Sequence, residues 1–169
     1  MVPGHEMLFV EWLLLQNPRA TFSPEHPRLP GQDHPGLGML REIYSWLIVL
    51  CEALQLDGIA FVPSHYYMSA LGRRLLQFLD PVAQARFEAM HGVLSRLTLA
   101  EASHVLEAGR IRDAATGTPV KWRPSVMVVP VSSKLRSLLE ASDYAEQRAA
   151  ERGAVEFRLE SADDSLIPE

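Results

Sequence analysis

The residues of this chain that could do chemistry fall into short, separate groups. Glu11 stands between Met7-Leu-Phe-Val10 and Trp12-Leu-Leu-Leu15. A carboxyl buried among such neighbours holds its proton more tightly than in water, which suits it to act as a general base. The same surroundings also fit a structural ion pair with an arginine. Pro35-Gly36-Leu37-Gly38 leads into a helical pattern. Unpaired amides at such a start, together with the helix dipole, favour an anion, and glycine lets it come close. A plain turn with Asp33 as the helix cap would use the same residues. His34 and His65, the latter beside Tyr66 and Tyr67, fall near the C-terminal ends of neighbouring strands, the usual ligand side of parallel sheets. Solvated or backbone-bonded histidines are the simpler reading of that pair. Glu88-Ala-Met-His91 and Glu101-Ala-Ser-His104 match the Glu-x-x-His spacing of di-iron bundles. Glu101 and His104 lie opposite Leu99, Val105 and Leu106, and no four-helix pattern supplies further carboxylates, so no metal is assigned.

The elements that must position these residues follow from hydrophobic period and punctuation. Residues 7–15 are apolar on both parities except at Glu11, which predicts a central strand covered on two faces. Residues 16–35 carry Pro18, Pro24, Pro27, Pro30 and Pro35 and form a long loop. From 37 to 54 the apolar residues repeat at helical spacing, with Trp46 and Leu50 widening the stripe beyond half the circumference, so this helix should be covered on two sides. Asp57-Gly58 ends it, and Gly58-Ile-Ala-Phe-Val62 reads as a buried strand stopped by Pro63. Strand, helix, strand at this spacing implies a parallel βαβ unit.

Further along, Ser64 is the expected cap of a helix to Leu75, followed by a brief strand at 76–79. A helix from Pro81 to Leu97 and another opening on the capping box Thr98-Leu-Ala-Glu101 come next. Residues 110–112 and 120–123 flank a turn and predict a hairpin with a basic face of Arg110, Arg112, Lys121 and Arg123. Such a face could meet phosphates or RNA, or could simply guard an edge against aggregation. A strand at 125–129, a polar helix from Ser132 or Ser133 to about Arg152, and a last strand at 154–159 complete the order. Trp12, Trp46 and Trp122 are expected in the core. The fold class is therefore α/β (α+β), a single domain over 1–160 with a mixed sheet and several packed helices. An acidic tail at 161–169 is expected to be disordered.

Composition sets the outer bounds. The 169 residues are 47% hydrophobic with a net charge of −5, enough for one packed core and unlike a disordered chain. The acidic balance argues against a nucleic-acid-coating protein. Apolar runs are too short to span a membrane. The single Cys51, inside an apolar helical run, fits a reducing compartment, so a cytoplasmic location is expected.

From the first strand to Phe78 the chain resembles the second half of the GNAT (Gcn5-related N-acetyltransferase) core: a central strand, the Gly36-Leu37-Gly38 turn, a long helix, a diverging strand and a short helix. That resemblance implies an acyl-CoA-binding protein, acetyl-CoA as the cofactor held at Gly36, Leu37 and Gly38, and N-acetyl transfer to a small-molecule amine. The position three residues before the first glycine is Asp33, where the family usually has Gln or Arg. Leu71 occupies the family's tyrosine position, which leaves Tyr66 as a substitute acid beside Glu11 as the candidate base. The leading strands of the family core have no counterpart in the six residues before the first strand. This also suits a non-catalytic interaction protein that keeps half of the core and covers it by forming a homodimer.

Overall fold

Ile59, Ala60 and Phe61 are buried on both parities, as are Met127, Val128 and Val129. Continuous burial of this kind belongs to strands covered on two faces, and these two runs form the middle of the sheet. The computed structural model describes residues 3–160. Along the chain come β1 (Met7–Phe9), α1 (Leu40–Ala53), β2 (Gly58–Phe61), α2 (Tyr66–Gly72), β3 (Gln77–Phe78), α3 (Pro81–Leu94), α4 (Leu99–Glu107), β4 (Ile111–Asp113), β5 (Met127–Pro130), α5 (Ser133–Leu139), α6 (Ser142–Ala154) and β6 (Phe157–Leu159). The main sheet has the order β1-β2-β5-β3. β1 runs parallel to β2, while β5 lies antiparallel to both β2 and β3. One mixed α/β domain with a parallel pair results.

Strand alternation divides the core between the two faces. Ile59, Phe61, Met127 and Val129 pack on one side with Tyr44 and Cys51 of α1, Tyr66 of α2 and Phe87 of α3. Ala60 and Val128 face the other way, against Leu135 and Leu139 of α5 and Tyr144 of α6. Each such buried side chain contributes roughly 1.5–3 kcal/mol relative to exposure. The Tyr144 hydroxyl donates to the Phe78 carbonyl at 2.6 Å, tying α6 to β3. Asp57 pins the first strands to α5. Its carboxylate accepts from the Ser132 hydroxyl at 2.6 Å and from the Glu6 amide at 2.9 Å, and these bonds, the Ser132 one foremost, hold its carboxyl below the usual pKa.

Several expectations are corrected. The segment 7–15 is not a central strand, because β1 has one described neighbour and ends at Phe9 after the Val10 amide bonds the Ala60 carbonyl at 2.8 Å. Residues 11–14 leave the sheet and are exposed, with Trp12 89% and Leu14 76% accessible. Glu11 is thus a solvent-facing carboxylate, not a buried one, and it has no ion pair among the described residues. The long helix starts at Leu40, since Gly38 takes a left-handed φ of 72° that cannot propagate a helix. Its inner face packs on β2, while Trp46 (78% accessible), Val49, Leu50 and Leu54 face outward. Of the three tryptophans only Trp122 packs against the core.

The 110–123 hairpin is reduced to a single bridge, Arg112 with Pro119, and β4 pairs with β6. Arg112 meets Glu160 at 3.2 Å, so part of the basic face is already neutralised. The polar helix breaks at Glu140-Ala141 into α5 and α6, which lets Leu139 and Tyr144 reach the same face of the sheet. The 161–169 tail lies outside the described residues. No helix of the described residues is long and apolar enough to cross a membrane.

Candidate functional site

The bend before α1 is held by its neighbour rather than by a cap. Gln16 and Gly36 form an antiparallel bridge, with the Asn17 amide bonded to the Pro35 carbonyl at 2.8 Å and the Leu37 amide to the Leu15 carbonyl at 2.9 Å. The Leu37 amide is therefore spent on the fold. Gly38 is open: a Cβ built there would meet no described atom within 4 Å. Behind it, Met39 begins α1 with no side-chain cap among the described residues, so the first-turn amides have no side-chain partner. Asp33 does not fill that place, because its carboxylate turns to Arg28 at 3.4 Å. The bend is bonded to residues 15–17, which follow the exposed stretch 11–14 that leaves the sheet after Val10.

The loop over 16–35 is pinned down along its length. Gln16 Oε1 accepts from the His34 amide at 3.0 Å, Gln32 Oε1 from the Leu29 amide at 3.2 Å, and His104 Nε2 lies 2.9 Å from the Arg28 carbonyl. Pro30 is buried. It is Gly31, not His34, that lies against His65: a Cβ at Gly31 would come within 2.8 Å of the ring's Cε1. A φ of 73° at Gly31 adds to the demand for glycine there.

His65 sits at the junction of β2 and α2 with both ring nitrogens facing polar groups. Nδ1 is 2.9 Å from the Ser64 hydroxyl and Nε2 is 3.6 Å from Glu107 Oε1. Tyr67 stacks on the ring at 5.6 Å, and burial followed by the Glu107 charge raises its phenol pKa. Ser64, expected to cap α2, spends its side chain on His65 instead; the cap residue is His65 itself. A small cavity of about 30 Å³ opens here, lined by Pro30, Ser64, His65, Ser103, Leu106 and Trp122 among others.

Tyr66 points inward. Its hydroxyl is 2.8 Å from His91 Nδ1, and burial pushes its pKa up to about 12. The structure therefore brings Tyr66 together with His91, Phe87 and Trp122, not with Glu11 or with the glycine bend. A larger recess of about 350 Å³ is lined by Arg112, Gly117, Arg158, Leu159 and Glu160. Among the described residues no three His, Cys, Asp or Glu side chains are grouped to hold a metal ion. Sequence reasoning marked His65 but missed Glu107, which no local spacing connects to it. The chain matches no family model, and no curated protein or solved structure matches it.

Proposed function

We propose that this is a GNAT-like acyl-CoA-binding protein of the cytoplasm, with the diphosphate of acetyl-CoA held at the start of α1. The observation that carries the reading is Gly38, left-handed and unobstructed ahead of an uncapped 14-residue helix. The residues fit such an anion: Gly36 and Gly38 leave the backbone bare, and the first-turn amides of α1 supply donors and the positive end of the helix dipole. Leu37 contributes shape only, its amide being bonded to Leu15. Bound acetyl-CoA would supply an activated thioester. In an N-acetyl transfer to a small-molecule amine, Glu11 is the carboxylate beyond the end of β1 that could attract the cationic amine and take its proton. Tyr66 is dropped as the acid, since its phenol is buried against His91.

Calorimetric titration with CoA and acetyl-CoA tests the reading, with Gly38→Glu as the control that places a negative charge at the bend. Binding in the native protein that the substitution abolishes is the expected result. Heats indistinguishable between the two proteins would overturn it.

A second reading, a non-catalytic protein that covers half of an acetyltransferase core by pairing with itself, is favoured by the exposed apolar residues of α1 and of the segment after β1. The two are compatible, because the glycine bend and the outward face of α1 are separate features of the helix.

A further inference from the structure

We propose that Ser64, His65 and Glu107 form a nucleophilic site, at which the Ser64 hydroxyl takes a short acyl group from an activated ester or thioester. This goes beyond acyl-CoA binding at Gly38 and does not depend on it. In a neutral imidazole one nitrogen donates and the other accepts. The Glu107 carboxylate, 3.6 Å from Nε2, favours the tautomer with its proton on that nitrogen. Nδ1 is then the acceptor and faces the Ser64 hydroxyl at 2.9 Å. A hydroxyl, a base and a carboxylate that orients the base make up the arrangement that activates a serine nucleophile. The Ser64 hydroxyl has one further contact, the Met68 sulfur at 3.5 Å, which is a weak acceptor and competes little for its proton.

The ring is also held on its faces. Tyr67 stacks on it, and Gly31 approaches so closely that no side chain could replace its hydrogen. Ser64 itself is exposed and borders the cavity of about 30 Å³, which has Pro30, Leu106 and Trp122 in its wall. A space of that order holds about one water, so the cavity as it stands has room for a short acyl group only. In the reaction the Oγ–carbonyl carbon bond forms as the hydroxyl proton passes to Nδ1. The carbonyl carbon's bond to the leaving sulfur or oxygen then breaks, and the same proton goes to that atom. Water, losing its proton to Nδ1, next displaces the acyl group as the carboxylic acid and returns the serine. The Glu107 charge, 3.6 Å from Nε2, stabilises the imidazolium in both halves.

Covalent labelling with a fluorophosphonate, followed by intact mass and peptide mapping, tests the site without a known substrate. One phosphonyl group on Ser64, absent from Ser64→Ala, is the expected result. The labelling rate should fall about 100-fold or more in His65→Gln and fall by a smaller factor in Glu107→Gln. Glu107→Gln leaves the ring packing in place, so its slower labelling at an unchanged melting temperature separates proton transfer from loss of fold. An unlabelled native protein, a label on another residue, or Glu107→Gln and His65→Gln labelling at the native rate would overturn the site. Gly38→Glu should label as the native protein does, and Ser64→Ala should bind CoA as the native protein does, so either assignment can fail alone.

Discussion

The Tyr66 hydroxyl and His91 Nδ1 lie 2.8 Å apart and join α2 to α3 through the aromatic side of the core. Trp122 meets the Tyr66 ring edge-on at 5.9 Å, and Phe87 stacks on His91 at 5.7 Å. Trp122 in turn donates its indole N–H to the Pro63 carbonyl at 3.0 Å, so the chain leaving β2 is fastened to the same cluster. The consequence is that Tyr66, conspicuous in the sequence, fastens α2 to the core, while His65 before it turns to Ser64 and Glu107 instead.

Removing that hydroxyl should be felt as stability, not as activity. Tyr66→Phe keeps the ring contacts but leaves His91 Nδ1 without its partner, and we expect a loss of about 1–2 kcal/mol in urea unfolding. Fluorophosphonate labelling of Ser64 should be unchanged. A drop in labelling at full stability would instead place the Tyr66 phenol in the chemistry.

The same pair sets a pH dependence. Burial, with a lesser contribution from the Arg73 charge, depresses the pKa of His91 below its ordinary 6.5. In the unfolded chain the imidazole takes its proton at that ordinary value, so the unfolded state binds more protons between the folded pKa and about 6.5. Stability contributed by neutral His91 is therefore complete above about 6.5 and declines as pH falls from there to the folded pKa, where the decline levels off. Urea midpoints measured from pH 7.5 to 5 should fall, and the slope should flatten in His91→Asn. A slope unchanged by that substitution would assign the effect to another group.

Reading the sequence worked where the determinants are local. The Thr98–Glu101 capping box is formed with both of its reciprocal bonds. Buried runs at β2 and β5 were legible because burial on both faces leaves an uninterrupted apolar stretch. Partner choice was not legible. The 120–123 segment lies close to β4 in sequence, yet β4 pairs with β6 more than forty residues away, and nothing in either segment's own pattern names its neighbour. The 7–15 segment has the pattern of a doubly covered strand, but a pattern cannot supply the cover, and Glu11 is consequently in water. At the candidate sites, the Gly36-Leu37-Gly38 turn was legible because it leads directly into a helical pattern, whereas Glu107 reaches His65 only through the packing of α2 on α4.

Gly58 gives a direct test of the sheet. No positive φ demands glycine there; space does. A Cβ would overlap the Val129 carbonyl oxygen across the β2–β5 pairing and lie 2.8 Å from Leu135 Cδ2. Backbone cannot retreat without breaking the ladder, so Gly58→Ala should destabilise by about 1–3 kcal/mol, the range for overpacking a tight core. Thermal unfolding by circular dichroism checks it, and a variant as stable as the native protein would mean that β2 and β5 are not in this register.

The apolar surface left uncovered leads to the remaining expectation. Phe9, Trp12, Leu13 and Leu14 follow the β1 edge, while Trp46, Val49, Leu50 and Leu54 line the outward face of α1. Large exposed apolar side chains gathered along these two segments are surface that a second copy of the chain could cover. No described strand pairs with the outer edge of β1. Val10 directs its amide to β2, so by alternation the Phe9 amide faces away from it, a ready donor for another strand. A two-fold axis would set two such edges antiparallel and bring the same tryptophans together. At tens of micromolar the protein should elute as a dimer, with the Phe9 amide protected from hydrogen exchange. Trp46→Lys combined with Val49→Lys should yield a folded monomer with that protection lost and with a melting temperature that no longer depends on protein concentration. A native protein that stays monomeric at millimolar concentration, with Phe9 exchanging freely, would leave self-pairing without support.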